Sequence, residues 1–294
     1  EVHLTEVERI ETMKAELRAG LTKPLKEIPP KYFYDEVGSE LFERITELPE
    51  YYLTRVETRI LRSIADRIVE RTRPRELLEL GSGYSTKTRI LLEAMRAGGD
   101  LGRYLAIDVS EPALRGAAER LGNDFPEMPM HAVVGDFTRH LDRIPRGDRR
   151  LVAFLGSTLG NFDRADAISL LGQVAAVLGP DGAFLLGTDL VKDSEILERA
   201  YNDLDGVTAE FNRNILNVVN RSLECWLPVR DFEHRAFFDE RNSWIEMRLR
   251  ARCWMAVRMP GLSDDEPFVL KLEEDEEIRT EISCKYTRPA VEAM

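Results

Sequence analysis

Short apolar runs alternate with stretches of helical spacing through the middle of the chain. The apolar runs lie at 77–80, 103–108, 130–137, 151–155 and 183–190. Helical spacing of apolar residues covers 86–97, 111–121 and 164–178 between them. Short runs that alternate with helices are typical of strands in a parallel sheet joined by right-handed crossovers. The pattern therefore predicts an α/β fold for this part of the chain.

Both ends of the chain lack this alternation and predict a second domain. Before the sheet we predict a helix at 6–21, an extended, proline-led segment at 28–35 and a helix at 41–48. After it we predict helices at 195–204 and 206–222, a β-hairpin of 234–239 with 244–259, a loop at 262–267, and strands at 268–272 and 278–286. This mixture favours an α+β domain assembled from both flanks. We assign 60–192 to the sheet domain, 1–59 with 193–286 to the second domain, and 287–294 to a return toward the sheet domain.

The segment 76–88, ELLELGSGYSTKT, is the most informative motif in the chain. Its apolar run stops at Gly81, and a second glycine follows at Gly83. Glycines let a ligand approach the backbone, and the next helix presents free N–H groups. The spacing is E-x-G-x-G rather than the G-x-G-x-x-G of dinucleotide binders, because Thr86 stands at the third position. It favours S-adenosylmethionine (SAM) over NAD, although an ordinary turn of an α/β protein also explains a lone glycine pair.

Polar and glycine positions follow several of the predicted strands. They are Gly81, Asp108, Asp136 and Asn161, each at or shortly after the end of an apolar run. The carboxyl ends of parallel strands meet at one edge of a sheet, and ligands bind there near the switch in strand order. We therefore expect these positions to build one pocket.

Composition and charge exclude several classes of partner. The chain has 294 residues, of which 43% are hydrophobic and 32% charged, as is ordinary for a globular protein. Its formal net charge of −12 argues against nucleic acid, which needs a clustered basic face. No apolar run approaches membrane-spanning length, and the first residues lack the core of a signal peptide. We expect a small-molecule substrate and no nucleic-acid or membrane partner.

Cysteine and histidine usage predicts neither disulfides nor a metal site. Cys225, Cys253 and Cys284 lie far apart, in no spacing typical of a disulfide framework or of metal ligands. The four histidines form no H-x-x-x-H pair. We therefore expect no metal, reduced thiols and a cytoplasmic location, and we expect a monomer.

Several longer motifs carry a resemblance to a known family. They are IPPKYFYDEVGSELFERITELPEYY, ELGSGYSTKTRILLEAM, FLGSTLGNF, LLGTDLVKD, GVTAEFNRN and EISCKY. Together they resemble the actinobacterial, SAM-dependent L-histidine Nα-methyltransferases of ergothioneine biosynthesis. The resemblance runs from about residue 20 to about residue 290, and its PEYY and TEISCK motifs are specific to that family.

The resemblance implies both a fold and a reaction. The fold is a Rossmann-like class I SAM methyltransferase sheet with a second, mixed α+β substrate-binding domain. The reaction uses SAM three times to convert the α-amino group of L-histidine to the trimethyl betaine hercynine, with S-adenosyl-L-homocysteine as product. The family continues beyond the position of Met294 through closing strands that this sequence does not contain.

The cofactor residues implied by the resemblance lie at or after the ends of predicted strands. It implies that Gly81 of the glycine turn and Lys87 of the next helix contact the cofactor. It implies that Asp108 binds the ribose hydroxyls, and that Asp136 with Phe137 lies along the adenine.

The substrate residues implied by the resemblance come from separate parts of the chain. They are Tyr51 of PEYY, Asn161 of LGNF, Tyr201 of RAYND, and Glu281 with Ser283 of TEISCK. Glu281 and Ser283 are two apart, so in a strand they share a face, from which they would bind the two ring nitrogens of histidine. Tyr34 of KYFYD and Asn161 are implied as the catalytic residues near the reacting amine.

Two other function classes remain open from the sequence. One is a SAM-dependent N-methyltransferase of another amino acid or amine. The other is a non-catalytic SAM-binding protein. An NAD dehydrogenase fits less well because of the glycine spacing. No residue stands out as a general base, and a methyl transfer to an amine needs no protein nucleophile.

Overall fold

The computed structural model describes residues 2–3, 5–260, 262 and 268–294. The strands are β1 Lys26–Glu27, β2 Glu76–Leu80, β3 Arg103–Asp108, β4 Met130–Val134, β5 Arg150–Phe154, β6 Ala183–Leu186, β7 Phe232–Asp239, β8 Trp244–Ala251, β9 Met255–Met259, β10 Phe268–Leu272 and β11 Glu277–Cys284. The α-helices are α1 Glu6–Leu21, α2 Glu36–Glu47, α3 Tyr52–Thr72, α4 Thr88–Ala97, α5 Glu111–Asp124, α6 Phe137–His140, α7 Arg164–Leu178, α8 Ser194–Ala200, α9 Val207–Leu223 and α10 Arg288–Glu292. Short 3₁₀ turns lie at Pro30–Phe33, Leu141–Arg143, Thr158–Asn161 and Val229–Asp231.

Internal contacts divide the chain into two compact units. The sheet unit comprises residues 2–3, Leu53–Asp189 and Arg288–Met294, and the second unit comprises Thr5–Tyr52 and the described part of Leu190–Thr287. No helix among the described residues is long and apolar enough to cross a membrane.

The sheet unit contains a five-stranded parallel sheet in the order β4-β3-β2-β5-β6. The chain builds outward from β2 through β3 to β4, then returns to β5 beside β2, so the strand order switches there. Both faces of the sheet are covered: Leu77 joins the apolar cluster on one face, and Leu78 joins the cluster on the other. Burial on both faces explains why the strands are continuous apolar runs. The predicted Rossmann-like class I sheet is confirmed.

Two of the predicted strands in this unit end earlier than the apolar runs indicate. β4 stops at Val134, because the Asp136 side chain accepts a hydrogen bond from the Thr138 N–H and begins the helix α6. β6 stops at Leu186. The prediction that Asp136 and Phe137 extend the third strand is therefore wrong: they start the helix that follows it.

The helix α3 was not predicted, although it is the first long element of the sheet unit. Its buried positions Leu61, Ala65 and Val69 repeat at the four-residue spacing of a helix face and pack against the sheet core. Charged residues interspersed along the helix conceal this stripe in the sequence.

The second unit contains a four-stranded sheet in the order β1-β11-β8-β7, and a separate antiparallel pair of β9 with β10. The strand predicted over 244–259 is therefore two strands in two sheets, because the chain turns after Ala251. The segment 28–35 is not extended throughout. Pro30–Phe33 forms a 3₁₀ turn, which places the Phe33 ring in a stack on Phe211 of α9, with 4.5 Å between ring centroids. Apart from Leu262, the loop predicted over 262–267 lies outside the described residues.

Candidate active site

The glycine turn after β2 leaves its backbone open to a ligand. Gly81 and Gly83 have φ angles of +65° and +49°, a region that side chains rarely occupy. A Cβ atom built on Gly83 would meet nothing within 4 Å, and one on Gly81 would lie 3.5 Å from the Phe137 ring. The Ser82 hydroxyl between them is buried and has no hydrogen-bond partner among the described residues. The turn therefore combines open space beside its backbone with an unsatisfied polar atom.

Asp108 at the end of β3 holds this turn. The Gly83 N–H donates to its Oδ2 and the Ser110 N–H donates to its Oδ1, both at 2.8 Å. Burial raises the pKa of Asp108, and the backbone N–H donors of Ser110 and Gly83 act in the opposite direction. Each carboxylate oxygen keeps a second lone pair, so Asp108 can also accept hydrogen bonds from ligand hydroxyls.

Asp136 and Phe137 follow β4 and begin α6, and the Phe137 ring lies beside Gly81 of the glycine turn. Asp136 is buried, and its Oδ1 accepts hydrogen bonds from the Thr138 N–H and Oγ1 at 2.9 and 2.6 Å. The Phe137 ring is half-buried and packs edge-on against Phe154 and Phe162, at 5.4 and 6.1 Å between ring centroids. The α6 start therefore presents an aromatic side chain beside Gly81.

Lys87 forms an ion pair that the sequence did not predict. Its Nζ pairs with the carboxylate of Glu57, which lies on α3. The same carboxylate accepts the Gly156 N–H, at 2.8 Å for Oε1 and 3.0 Å for Oε2. Glu57 thus links the residues that follow β2 and β5. Glu57 was not predicted as a site residue because the helix α3 that carries it was not predicted. The apolar spacing of α3 was the only signal in the sequence that could have located this helix.

A buried acid supports the glycine turn from behind. Glu79 is 4% exposed, and its Oε2 accepts hydrogen bonds from the Thr88 Oγ1 and from the Tyr104 Oη, the latter at 2.7 Å. The Tyr104 and Ser85 hydroxyls are also hydrogen-bonded, at 2.8 Å. Burial raises the pKa of Glu79 to about 7. This cluster fixes the start of α4 against β3.

Asn161 ends the 3₁₀ turn that follows β5 and is half-buried. The structure therefore brings the predicted sheet-unit residues to the carboxyl ends of β2, β3, β4 and β5. These residues are Gly81, Lys87, Asp108, Asp136, Phe137 and Asn161.

The predicted tyrosines meet in one aromatic cluster of the second unit. Tyr51 and Tyr201 lie 6.2 Å apart between ring centroids, in an edge-on arrangement. Phe42 contacts Tyr51 at 6.2 Å and Tyr34 at 5.7 Å. Tyr34 also packs against Phe211 of α9. Residues from three separate segments therefore share one aromatic surface.

The end of β11 carries a hydrogen-bonded group that includes two predicted residues. The hydroxyls of Tyr201 and Ser283 are 2.8 Å apart, and both residues are buried. The Lys285 Nζ donates to Ser283 Oγ at 2.9 Å and to Tyr201 Oη at 3.0 Å. Glu281 is half-buried on the same strand. Lys285 was missed, although its place two residues after Ser283 in the TEISCK motif was a usable signal.

A second network fixes the backbone around these residues. The strand β11 shifts register against β8 between Arg279 and Glu281, which leaves Thr280 as the extra residue of a β-bulge. Thr280 Oγ1 donates to Asn212 Oδ1 at 2.7 Å, and Asn212 Nδ2 lies 2.8 Å from His234 Nδ1. His234 Nε2 lies 2.9 Å from the Tyr201 carbonyl oxygen.

The protonation of His234 follows from these partners. Burial lowers the pKa of His234, so its ring is neutral near pH 7. A neutral ring then donates from Nε2 to the Tyr201 carbonyl and accepts at Nδ1 from Asn212. This chain of bonds ties Tyr201 to the strand that carries Glu281 and Ser283.

Comparison with known proteins identifies relatives over nearly the whole chain. A family model described as "Histidine-specific methyltransferase, SAM-dependent" matches residues 13–294. The "Histidine N-alpha-methyltransferase" of Mycolicibacterium smegmatis is 48% identical over 94% of this chain and 85% of its own length. That of Mycobacterium tuberculosis is 45% identical over 96% of this chain and 86% of its own length. The "Ergothioneine biosynthesis protein 1" of Schizosaccharomyces pombe is 31% identical over 81% of this chain and 33% of its own length.

Proposed function

The chain belongs to the family of SAM-dependent, histidine-specific methyltransferases, and we propose that it methylates the α-amino group of L-histidine three times to give hercynine in ergothioneine biosynthesis. The observation that carries this proposal is the hydrogen bond between Tyr201 and Ser283, at 2.8 Å between hydroxyl oxygens. The resemblance assigned both residues to histidine, yet they lie on separate elements. Their meeting supports a common substrate-binding role.

The residues of the sheet unit fit SAM. Gly81 and Gly83 leave the backbone open, and the Phe137 ring borders Gly81. Asp108 keeps acceptor capacity for ribose hydroxyls while it holds the turn. Lys87 has its charge balanced by Glu57, which suits a site for a cationic ligand. When bound, SAM supplies an electrophilic methyl group on a sulfonium.

The residues of β11 fit the imidazole ring of histidine. Glu281 and Ser283 lie two apart on one strand, so their side chains leave the same face. We assign Glu281 as the acceptor for the ring N–H and Ser283 as the partner of the other nitrogen. Tyr51 and Tyr201 line the same substrate through their shared aromatic cluster. The roles of Tyr34 and Asn161 near the amine stay predictions from the resemblance.

The chemical step is an in-line displacement in which the substrate amine is the nucleophile. The protein must hold the neutral α-nitrogen at attack distance, and such orientation contributes about 7–11 kcal/mol in well-aligned reactions. The α-nitrogen must lose a proton before each transfer. His234 does not supply a base for this, because both of its ring nitrogens are engaged with Tyr201 and Asn212. We therefore assign proton removal to water.

Cys225, Cys253 and Cys284 form no disulfide among the described residues, which fits a reducing compartment. We include a cytoplasmic location and a monomeric state in the proposal. Light scattering on the purified chain tests the latter, since a mass of twice the 33.6 kDa of one chain would contradict it.

Mass spectrometry of a reaction with purified protein, SAM and L-histidine tests the proposed function. The proposal predicts histidine with three added methyl groups and three equivalents of S-adenosylhomocysteine. Unchanged histidine in the presence of folded protein would contradict it. Accumulation of monomethylhistidine alone would contradict the threefold transfer while leaving the substrate assignment intact.

A further inference from the structure

An ion pair lies at the point of the parallel sheet where the strand order switches. Lys87 directly precedes α4, the helix after β2, and Gly156 follows β5, the strand that pairs with β2. The Lys87 Nζ pairs with the Glu57 carboxylate, and the Gly156 N–H donates to both oxygens of that carboxylate, at 2.8 and 3.0 Å. Glu57 belongs to α3, so it connects this helix to the segments that follow two neighbouring strands. Open α/β sheets bind their ligands at such a switch point.

Two glycines leave room for this ion pair. A Cβ atom built on Gly187, which follows β6, would lie 2.1 Å from the Oε1 atom of Glu57. Gly156 has a φ angle of +75°, and a Cβ atom built there would lie 3.5 Å from the Lys87 Nζ atom. A side chain at the first position would displace the carboxylate, and one at the second would be strained. The Glu57 carboxylate therefore occupies a recess that a side chain on Gly187 would close.

Both charged groups keep hydrogen-bonding capacity. The side chains of Lys87 and Glu57 are 19% and 17% exposed, so a ligand can reach them in surroundings from which most water is excluded. An ammonium has three N–H donors, and Lys87 uses one of them on Glu57. A carboxylate has about four lone-pair positions, and Gly156 and Lys87 contact one on Oε1 and two on Oε2. Within the described part of the chain, the pair therefore retains an acceptor position on Glu57 and two donors on Lys87.

These remaining groups match an α-amino-acid zwitterion. Its ammonium needs an acceptor and its carboxylate needs donors, and binding beside the ion pair places unlike charges next to each other. SAM ends in such a group. The residues proposed for its ribose and adenine, Asp108 and Phe137, lie at or after the ends of β3 and β4, whereas β5 lies on the opposite side of β2. The ion pair between the ends of β2 and β5 is therefore on the side left for the amino-acid tail.

We propose that Glu57 is a cofactor-binding residue whose carboxylate accepts a hydrogen bond from the α-ammonium of the amino-acid tail of SAM, while Lys87 donates to the α-carboxylate. The proposal rests on the proposed function, because SAM supplies this tail. The substrate histidine is a second amino-acid zwitterion, but its α-nitrogen has to be neutral for methyl transfer. A carboxylate partner favours the charged ammonium over the neutral amine. We therefore assign Glu57 to the cofactor rather than to the substrate.

Calorimetry with three nucleosides tests this assignment. S-adenosylhomocysteine has both the ammonium and the carboxylate, its decarboxylated analogue has the ammonium alone, and methylthioadenosine has neither. Glu57→Gln keeps an acceptor for the Gly156 N–H but removes the negative charge. We expect it to weaken the binding of S-adenosylhomocysteine and of the decarboxylated analogue by about 10- to 100-fold, as for a lost hydrogen bond between charged groups. The binding of methylthioadenosine should change by less than about threefold.

Lys87→Met should discriminate between the same nucleosides in a different way. It should weaken the binding of S-adenosylhomocysteine by about 10- to 100-fold, because the α-carboxylate loses its donor. It should not weaken the decarboxylated analogue, which has no carboxylate to lose that donor. Glu70→Gln, at an exposed position of the same helix α3, is the matched control and should leave all three affinities unchanged.

Equal weakening of all three nucleosides by Glu57→Gln would show that Glu57 only supports the fold and would overturn the proposal. Unchanged affinity for all three would also overturn it. If Glu57→Gln does not unfold cooperatively, Lys87→Met tests the assignment, and an equal loss for S-adenosylhomocysteine and its decarboxylated analogue would contradict it. Failure of wild type to bind S-adenosylhomocysteine would instead overturn the proposed function, so the two failures are distinguishable.

Discussion

At the level of single residues, two acidic side chains of the candidate site, Asp108 and Glu281, differ in their surroundings and in the roles that we propose for them. Asp108 uses one lone pair of each oxygen on the backbone N–H groups of Gly83 and Ser110. It therefore shapes the glycine turn and can bind a ligand at the same time. Glu281 is half-buried and lies on a strand face that also carries a hydroxyl and a cation. The role that we propose for Glu281 is recognition of the substrate ring rather than support of a turn.

Replacement of Asp108 by Ala should weaken binding of S-adenosylhomocysteine by about 1–3 kcal/mol, because ribose hydroxyls and two backbone N–H groups lose an acceptor. Calorimetry measures this directly. Asp142→Ala is the matched control, since the Asp142 side chain is 72% exposed. An affinity for S-adenosylhomocysteine equal to that of wild type would show that the ribose lies elsewhere.

Replacement of Glu281 by Ala should weaken the binding of histidine by about 1.5–3 kcal/mol, as expected for the loss of a hydrogen bond to a charged group. Affinity for S-adenosylhomocysteine should barely change, because Glu281 belongs to the second unit and the proposed SAM residues to the sheet unit. The control is Glu274→Ala in the exposed acidic turn. If both affinities fall together, Glu281 maintains the fold and does not bind the ring.

The sequence located candidate residues but not their partners. Asp108 was predictable because an acid directly follows an apolar run. Glu57 and Lys285 were not predicted as site residues, because their roles depend on contacts with residues on other elements. Residue spacing could place Lys285 on the strand face of Ser283, but it carries no information about the contacts that Lys285 and Glu57 make with other elements.

At the scale of elements, the turn between β2 and α4 depends on a buried carboxyl. Glu79 has its pKa raised to about 7 by burial, against an ordinary value of 4.5. A carboxyl whose pKa is raised in the folded state favours folding in its protonated form. Its contribution to stability is therefore most favourable below about pH 4.5 and is lost as pH rises through 7.

Glu79→Gln removes this titration and should change the pH dependence of stability. From pH 5 to pH 8, the free energy of unfolding of the variant should rise relative to that of wild type by roughly 2–3 kcal/mol, since one pKa unit corresponds to about 1.4 kcal/mol. Denaturant unfolding of both proteins at the two pH values gives the difference between their free energies of unfolding. The contributions of all other titrating groups are the same in both proteins and cancel in this difference. A constant difference across this range would mean that Glu79 does not titrate there.

The bulge in β11 depends on Asn212, which is fully buried in α9. Asn212→Ala should cost about 1–3 kcal/mol, because His234 Nδ1 loses its donor, whereas the Thr280 hydroxyl keeps the Met247 carbonyl oxygen as an acceptor at 3.1 Å. It should also raise KM for histidine more than Kd for S-adenosylhomocysteine. Asn217→Ala on the same helix is the control. An unchanged KM would show that the network supports stability alone.

Elements were predictable where apolar runs have clear ends. The bounds of α1, β3, α7 and β10 follow from the sequence, because glycines, caps and charged residues interrupt the apolar pattern there. The helix α3 was missed because charged residues surround its stripe. The β-bulge at Thr280 was also missed, since it depends on pairing with β8 and on a hydrogen bond to α9.

At the scale of the whole molecule, each unit has its own sheet and its own chemistry. The residues that we propose for SAM lie in the sheet unit, and those that we propose for the imidazole ring lie in the second unit. The sequence predicted two domains from the loss of strand–helix alternation at both flanks. The contact division starts at Leu53 rather than at 60, because α3 begins at Tyr52. The functional roles of the two domains stay proposals.

The proposed function requires that this chain methylates histidine in preference to other amino acids. The most direct measurement incubates the protein with SAM and an equimolar mixture of the twenty amino acids, then identifies every methylated product by mass spectrometry. We expect that histidine alone gains methyl groups and that it gains three. Methylation of another amino acid at a comparable rate would contradict the proposed function. The absence of any methylated amino acid in the presence of folded protein would also contradict it.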